Sequence, residues 1–141
     1  MTEFTVVYKA FLSKILDDEW DFWTHSELED DLYDLLMGAL PHFKFPRTSL
    51  DYNDEGFIAD LSNTEIQILA TYMKCEWLNR TILTWENVKP LYVERDFSQA
   101  NLLDKFHQML EAELYNARRL EGLYYRSVNY KSFDYGKLAE N

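Results

Sequence analysis

The chain of 141 residues has few of the residue types that would mark several common classes of protein. A single cysteine, Cys75, allows no internal disulfide, which excludes a disulfide-stapled secreted framework. The four glycines are isolated, so no glycine-rich phosphate loop is present. No apolar run approaches the roughly 20 residues of a membrane span. Residues 1–8 also lack the basic start and long apolar run of a signal peptide.

Basic residues are scarce in the first half of the chain. Residues 1–70 contain 15 acidic and 4 basic side chains, whereas residues 71–141 contain 10 of each. The stretch from Asp17 to Asp34 has nine carboxylates and no lysine or arginine. Such a surface repels nucleic acid and anionic membranes, since both require a basic patch. The run also lacks the alternating oxygen ligands and central glycine of a calcium loop, so it is predicted to be a solvated or partner-facing surface.

Aromatic residues, in contrast, are abundant, at 16% of the chain. Tyrosine and tryptophan bury a large area while keeping a polar end for a hydrogen bond. They are enriched at interfaces between proteins as well as in cores. We therefore expect some of these rings to contact other molecules.

Apolar residues at helical spacing predict a mainly α fold, a small bundle of about four helices. Two capping boxes mark helix starts, because Ser or Thr and a Glu three residues later satisfy free backbone donors at a helix N-terminus. The predicted helices are Thr5–Leu16, a helix from the box Thr24–Glu27 to Pro41, a helix from the box Ser62–Glu65 to about Asn79, and Phe97–Tyr124. Residues 81–92 are predicted to be a connector with at most a short helix around Trp85. Leu110 and Leu114 of the last helix are expected to be buried.

Two segments interrupt this helical pattern. Residues 41–61 contain two short extended candidates, 43–46 and 56–59, around a run of turn-forming residues, which predicts a projecting loop or β-hairpin. Residues 126–141 have aromatic residues among small polar ones and are predicted to be an extended C-terminal interaction tail, following a helical domain of residues 1–125. Both segments are expected to become ordered only in an assembly. The candidate interaction residues are Phe43, Phe45, Phe57, Tyr130, Phe133 and Tyr135.

Few residues suggest chemistry. Asp104, His107 and Glu111 would share one side of a helix, as ligands do in helical di-metal sites. Such sites need matching ligands from partner helices, and neither His25 nor His42 lies in a comparable pattern. Cys75 lies in an apolar helical stretch and is expected to be a core residue. We therefore predict that the chain is not an enzyme and holds no cofactor or metal.

Two further stretches carry a resemblance to a known class of protein. One begins at Leu61-Ser62-Asn63-Thr64-Glu65 and continues through Met73 and Glu76-Trp77-Leu78. The other is residues 95–103, Arg-Asp-Phe-Ser-Gln-Ala-Asn-Leu-Leu, with a long helix ending in Tyr124-Tyr125-Arg126. In this order and spacing they resemble the neck, or head–tail connector (head-completion), proteins of tailed bacteriophages. The resemblance covers residues 60–126.

This resemblance implies a non-catalytic structural virion protein. Such a protein forms a homo-oligomeric ring beneath the portal and joins the capsid to the tail. The implied partners are copies of the chain itself, a portal or adaptor protein and a tail-completion or tail-tube protein, with DNA passing through without tight binding and no membrane. The implied location is the virion neck, and the host cytoplasm during assembly. The alternative is an acidic regulatory binder, a DNA mimic or inhibitor of a nucleic-acid enzyme, for which residues 17–34 would provide carboxylates spaced like phosphates.

Overall fold

The computed structural model describes residues 1–15, 25–88 and 96–132. Within these ranges the chain is mainly helical, with four α-helices and one small antiparallel sheet, which confirms the predicted fold class. In chain order the elements are β1 (Thr2–Glu3), α1 (Phe4–Leu12), α2 (His25–Ala39), a 3₁₀ turn (Leu40–His42), β2 (Gly56–Phe57), α3 (Asn63–Val88) and α4 (Asp96–Ser132). No helix in these ranges has both the length and the apolar character to cross a membrane.

Helix α3 is the central element of the fold. Helices α1, α2 and α4 all pack against it. Six consecutive side chains of α3, residues 68–73, are buried. Because consecutive residues of a helix point in all directions around its axis, this run shows that α3 is covered on every side over this stretch.

The predicted capping box at the start of α3 is confirmed. The Glu65 backbone N–H donates to Ser62 Oγ at 3.2 Å, and the Ser62 N–H donates to Glu65 Oε1 at 2.8 Å. The predicted end near Asn79 is wrong, since the helix continues to Val88 through part of the predicted connector. Thr81 and Thr84 fit inside it because their hydroxyls donate to the carbonyls one turn earlier, at 2.8 and 2.9 Å.

The N-terminal half provides the other layer of the core. Helix α1 ends at Leu12, earlier than predicted, where the backbone tightens into a turn at Ser13 and Lys14. Helix α2 buries Leu32, Leu35, Leu36 and Ala39, as its spacing predicts. Its expected cap residue, Thr24, lies outside the described residues. The Arg80 guanidinium of α3 forms a bidentate ion pair with the Asp31 carboxylate of α2. The Nη2–Oδ2 distance is 2.7 Å.

The sheet differs from the predicted hairpin. Strand β2 pairs with β1 at the start of the chain, in the register Thr2 opposite Phe57 and Glu3 opposite Gly56. Residues 43–46 form no strand. The predicted turn is present, because the Asn53 side chain accepts hydrogen bonds from the N–H groups of Glu55 and Gly56 at 2.9 and 3.1 Å. One isolated bridge joins Tyr52 to Phe57 across this turn.

The segment 41–61 contributes residues to the core of the domain, while its turn at residues 51–55 is exposed. Phe43 is buried and Phe57 is fully buried, both within the hydrophobic core. The expectation that this segment stays unordered until assembly is wrong, because its aromatic rings fill space beside α1 and α4. Phe4 of α1 meets the Phe57 ring edge-on at 5.3 Å, and Phe43 meets Tyr124 of α4 at 5.5 Å.

Helix α4 is longer at its C-terminal end than predicted. It includes residues 126–132, which were predicted to belong to an extended tail; residues 133–141 lie outside the described residues. Leu110 and Leu114 are half-buried and pack against the core cluster, so the prediction that they are buried is wrong. The physical reason is that α3 covers only one side of α4.

Candidate interaction surfaces

A buried carboxylate joins three separate parts of the chain. Glu65 is only 2% exposed, and its Oε1 accepts from Thr48 Oγ1 at 3.0 Å as well as from the Ser62 N–H. Its Oε2 accepts from the Tyr124 hydroxyl at 3.1 Å. Tyr124 in turn accepts a hydrogen bond from the Arg47 N–H at 2.8 Å. We call this cluster the Glu65 junction, because it fastens the 47–48 loop and α4 to the start of α3.

The Glu65 junction favours the charged form of its carboxylate. Burial by itself would raise the pKa of Glu65. Hydrogen bonds from Ser62, Thr48 and Tyr124 outweigh that effect and hold the pKa below its ordinary value. The junction is therefore a structural anchor that stays ionised at neutral pH and not a proton donor.

Further polar contacts join α3 to its neighbours. The Tyr72 hydroxyl donates to Glu121 of α4, which also accepts from Tyr125 at 3.1 Å. Lys74 forms an ion pair with Glu113 at 2.9 Å. His42, in the 3₁₀ turn, places its Nε2 atom 2.7 Å from Glu76 Oε1 of α3. Its ring also stacks on that of Tyr72, with the ring centroids 5.2 Å apart. The bonds of Tyr72 and Lys74 fix the rotation of α4 about its axis, which determines the face that α4 presents to the outside.

The predicted interaction residues are separated by the fold. Phe43 and Phe57 belong to the core and are not available at the surface of the chain. Phe45 is 72% exposed and meets the Tyr125 ring edge-on at 6.5 Å, so it remains a candidate for contact with a partner. The backbone of Tyr130 is helical, and Phe133 and Tyr135 lie outside the described residues.

The residues considered as metal ligands or as a nucleophile are either exposed on α4 or buried in the core. Asp104, His107 and Glu111 are exposed on α4, and the described ranges bring no three His, Cys, Asp or Glu side chains together as a metal site would require. Cys75 is buried, and burial together with the nearby Glu113 and Glu76 carboxylates raises its pKa to about 12. Its thiol therefore stays protonated and unreactive at neutral pH.

One surface combines exposed tyrosines with carboxylates. Tyr33 of α2 and Tyr52 are 39% and 46% exposed, and both rings flank Phe4 at 5.9 Å. Partial burial, the neighbouring Tyr52 hydroxyl and the nearby carboxylates Asp54 and Asp34 raise the pKa of Tyr33. Asp30 lies on the same exposed side of α2. We call this the acidic tyrosine surface, made of Asp30, Tyr33, Asp34, Tyr52 and Asp54.

The outer face of α4 has the opposite charge. Residues 115–126 contain three basic side chains, those of Arg118, Arg119 and Arg126, and one acidic one, Glu121, which faces α3. Tyr115, Arg119, Gly122 and Arg126 recur at intervals of three and four residues and so follow one side of the helix. That side is opposite to the buried Ala117 and Tyr124. We call these four residues the basic stripe.

Neither surface was predicted from the sequence. The acidic tyrosine surface combines residues from α2 and from the 52–54 turn, which only the tertiary fold brings together. The basic stripe could have been found, since its spacing is helical and its charge differs from that of the rest of the chain. The residues predicted to form an interface were aromatic, and two of them, Phe43 and Phe57, belong to the core.

Comparison with known proteins assigns neither a family nor a function to the chain. No protein-family model, no curated protein and no solved structure gives a significant match to the chain.

Proposed function

We propose that the protein is a structural virion protein of a tailed bacteriophage, forming a ring in the neck that joins the portal and capsid to the tail. The observation that carries this proposal is the contact between the two stretches that resemble neck proteins. Ser62 and Glu65 belong to the first stretch, Tyr124 belongs to the end of the second, and all three meet in the Glu65 junction. The resemblance therefore follows one folded unit, the antiparallel pair α3 and α4.

The shape of this unit suits a connector. Helix α4 has 37 residues, which corresponds to a rod of about 55 Å. The Glu65 junction and the Lys74–Glu113 ion pair hold the rod to α3, so the pair can behave as a stiff strut. A stiff body with unlike surfaces on different sides is what a subunit needs to contact unlike neighbours.

The charge distribution supports passage of DNA without capture. An acidic surface lining a channel repels the duplex and releases no counterions to favour binding. We expect no saturable binding of duplex DNA by the isolated protein in fluorescence anisotropy at micromolar concentration. Tight binding that weakens steeply as salt rises would contradict this expectation.

Removal of the gene from the phage that carries it tests the neck assignment directly. Phage grown without the protein should accumulate filled heads and free tails that remain unjoined, as counted by electron microscopy. Resupply of the gene from a plasmid should restore joined particles, and an antibody against the protein should label the head–tail joint. Normal joined particles without the gene would overturn the proposal.

The acidic tyrosine surface favours a second candidate function, an acidic regulatory protein that binds a nucleic-acid enzyme. Asp30, Asp34 and Asp54 form no ion pair with any residue that the structure describes, so they are available to a basic partner. Such a mimic would act as a monomer or dimer and would be missing from purified particles. Mass spectrometry of purified virions separates the two functions, because a neck subunit must be present in them.

A further inference from the structure

The basic stripe of α4 contains three features of a surface that is covered by another molecule. Tyr115 is 71% exposed, an unusual position for a large aromatic ring. Arg119 bonds only to Asn116, one turn away on the same helix, and Arg126 forms no ion pair with a described residue. Arginine and tyrosine are among the residues most enriched where interfaces gain their binding energy.

Gly122 is the third feature. It lies in the interior of α4, where glycine is less favourable than alanine because it leaves the backbone freer in the unfolded chain. A Cβ added at Gly122 would meet no other atom within 4 Å, so nothing in the described chain requires glycine there. A glycine at an open position on a helix surface suits the close approach of a second molecule.

The acidic tyrosine surface has the complementary chemistry. It presents the carboxylates of Asp30, Asp34 and Asp54 beside the hydroxyls of Tyr33 and Tyr52, all of them at least partly exposed. Carboxylates form the strongest paired hydrogen bonds with arginine, and tyrosine rings receive a guanidinium on their faces. One chain thus carries both halves of a matched contact.

We propose that the basic stripe of one copy of the chain binds the acidic tyrosine surface of the next copy, which joins the copies head to tail. The proposal rests on the proposed ring and names the contact between its subunits. The two surfaces belong to α4 and α2, which pack on α3 between them, so they face different directions. A contact between two different surfaces repeats from copy to copy, and it closes into a ring where the rotation allows.

Introduced cysteines test the contact in the full chain. Asp54→Cys and Arg126→Cys combined in one chain should give, on mild oxidation, a ladder of covalent dimers, trimers and longer species. An equal mixture of the two single variants should stop at dimers, because each chain then has only one reactive end. Cys75 is buried and does not compete. Asp54→Cys with Lys105→Cys, which lies about 30 Å along α4 from Arg126, is the matched control and should give no ladder.

The oxidation should be performed at about 10 mM salt, where charges act over about 30 Å. Absence of the ladder from the double variant, or an equal ladder from the control, overturns the contact. Covalent dimers that never extend to trimers also overturn it, because they indicate a twofold dimer. If heads and tails fail to join without the gene but no ladder forms, the neck function stands and this contact is wrong. If the ladder forms but heads and tails join normally without the gene, the contact between copies stands and the neck function is wrong.

Charge reversal provides the second measurement. Arg119→Glu with Arg126→Glu should weaken self-association by at least about tenfold in analytical ultracentrifugation, because like charges then face each other. Adding Asp34→Arg with Asp54→Arg to the same chain should restore association. Lys9→Glu with Lys105→Glu changes the net charge equally at two exposed positions outside both surfaces and should leave association unchanged. Equal weakening by both reversals would overturn the proposal, since only net charge would then matter.

Discussion

The two ends of the α3–α4 pair are built differently. Near Glu65, hydrogen bonds join the pair to the 47–48 loop, and α1 and α2 pack on α3, where α2 reaches as far as Arg80. At the end formed by residues 82–88 and 103–109, Ile82 is buried while Phe106 and Met109 are only half-buried. The same helices are therefore core at one end and a two-helix strut at the other. We expect local stability to fall along the pair in the same direction.

The largest expected effect tests this difference with two phenylalanines. Phe57→Ala removes a fully buried ring beside the Glu65 end and should lower the free energy of unfolding by about 3–5 kcal/mol. Phe106→Ala at the far end removes a half-buried ring and should cost about 1 kcal/mol. Urea unfolding followed by circular dichroism measures both. Equal losses would show that the two ends are equally well packed.

The Glu65 junction should be the next most sensitive position. Glu65→Gln replaces one acceptor oxygen with a donor in a buried site, so at least one bonded group loses its partner. We expect a loss of about 1.5–3 kcal/mol, the usual value for hydrogen bonds to a charged group. Glu111→Gln, on the exposed side of α4, is the matched control and should change stability by less than about 0.5 kcal/mol.

The pH dependence of this loss sharpens the comparison. The pKa of Glu65 is lowered in the folded protein, so its contribution is fully present above the unfolded-state value of 4.5. It is lost as the pH falls through the folded-state pKa, because protonation removes the negative charge that the hydrogen bonds of this site favour. The difference in unfolding free energy between wild type and Glu65→Gln should thus be largest near neutrality and shrink below about pH 4. A difference that stays constant across this range would exclude the charge as its cause.

Substitution of Gly56, at the well-packed end of the molecule, should have a smaller effect. Gly56 lies in β2, and a Cβ there would collide with the Thr2 carbonyl oxygen in β1. Gly56→Ala must therefore displace backbone and should cost about 1–3 kcal/mol, as other overpacking changes do. Stability equal to that of wild type would show that β1 can move away freely.

The smallest expected effect has the opposite sign. Gly122→Ala adds its methyl group to open space on the basic stripe and should stabilise the isolated chain by about 0.5–1 kcal/mol. Thermal unfolding at a concentration below self-association measures it. Destabilisation would mean that α4 is bent or covered at this point within the single chain.

Local sequence patterns were sufficient to predict the parts of the fold that depend on nearby residues. The Ser62–Glu65 capping box and the Asn53 turn were recognisable because each is made by residues within a few positions of one another. The pairing of β1 with β2 was not, because its partners are more than 50 residues apart and each strand has only two residues. The C-terminal end of α3 was also missed. Its threonines appear unfavourable for a helix until their hydroxyls are seen to bond one turn back.

The candidate site was less predictable than the fold. Aromatic composition indicated an interface, but composition does not distinguish Phe57, which is fully buried, from Phe45, which is exposed. The capping-box role of Glu65 was predicted from Ser62. Its contacts with Thr48 and Tyr124 were not predicted, because these residues are 17 and 59 positions away in the sequence. Long-range polar contacts of this kind follow from the tertiary arrangement and leave no local pattern.

The enclosure of α3 on every side has a consequence for how this sequence can diverge. Residues 68–73 are all buried in close-packed surroundings, so a change in any one of them demands a compensating change elsewhere. The outer positions of α4 carry no such demand within a single chain. Among chains that share this fold, similarity should therefore persist longest along the middle of α3. Positions such as 119 and 126 should instead change together with 34 and 54, as one subunit adapts to the next.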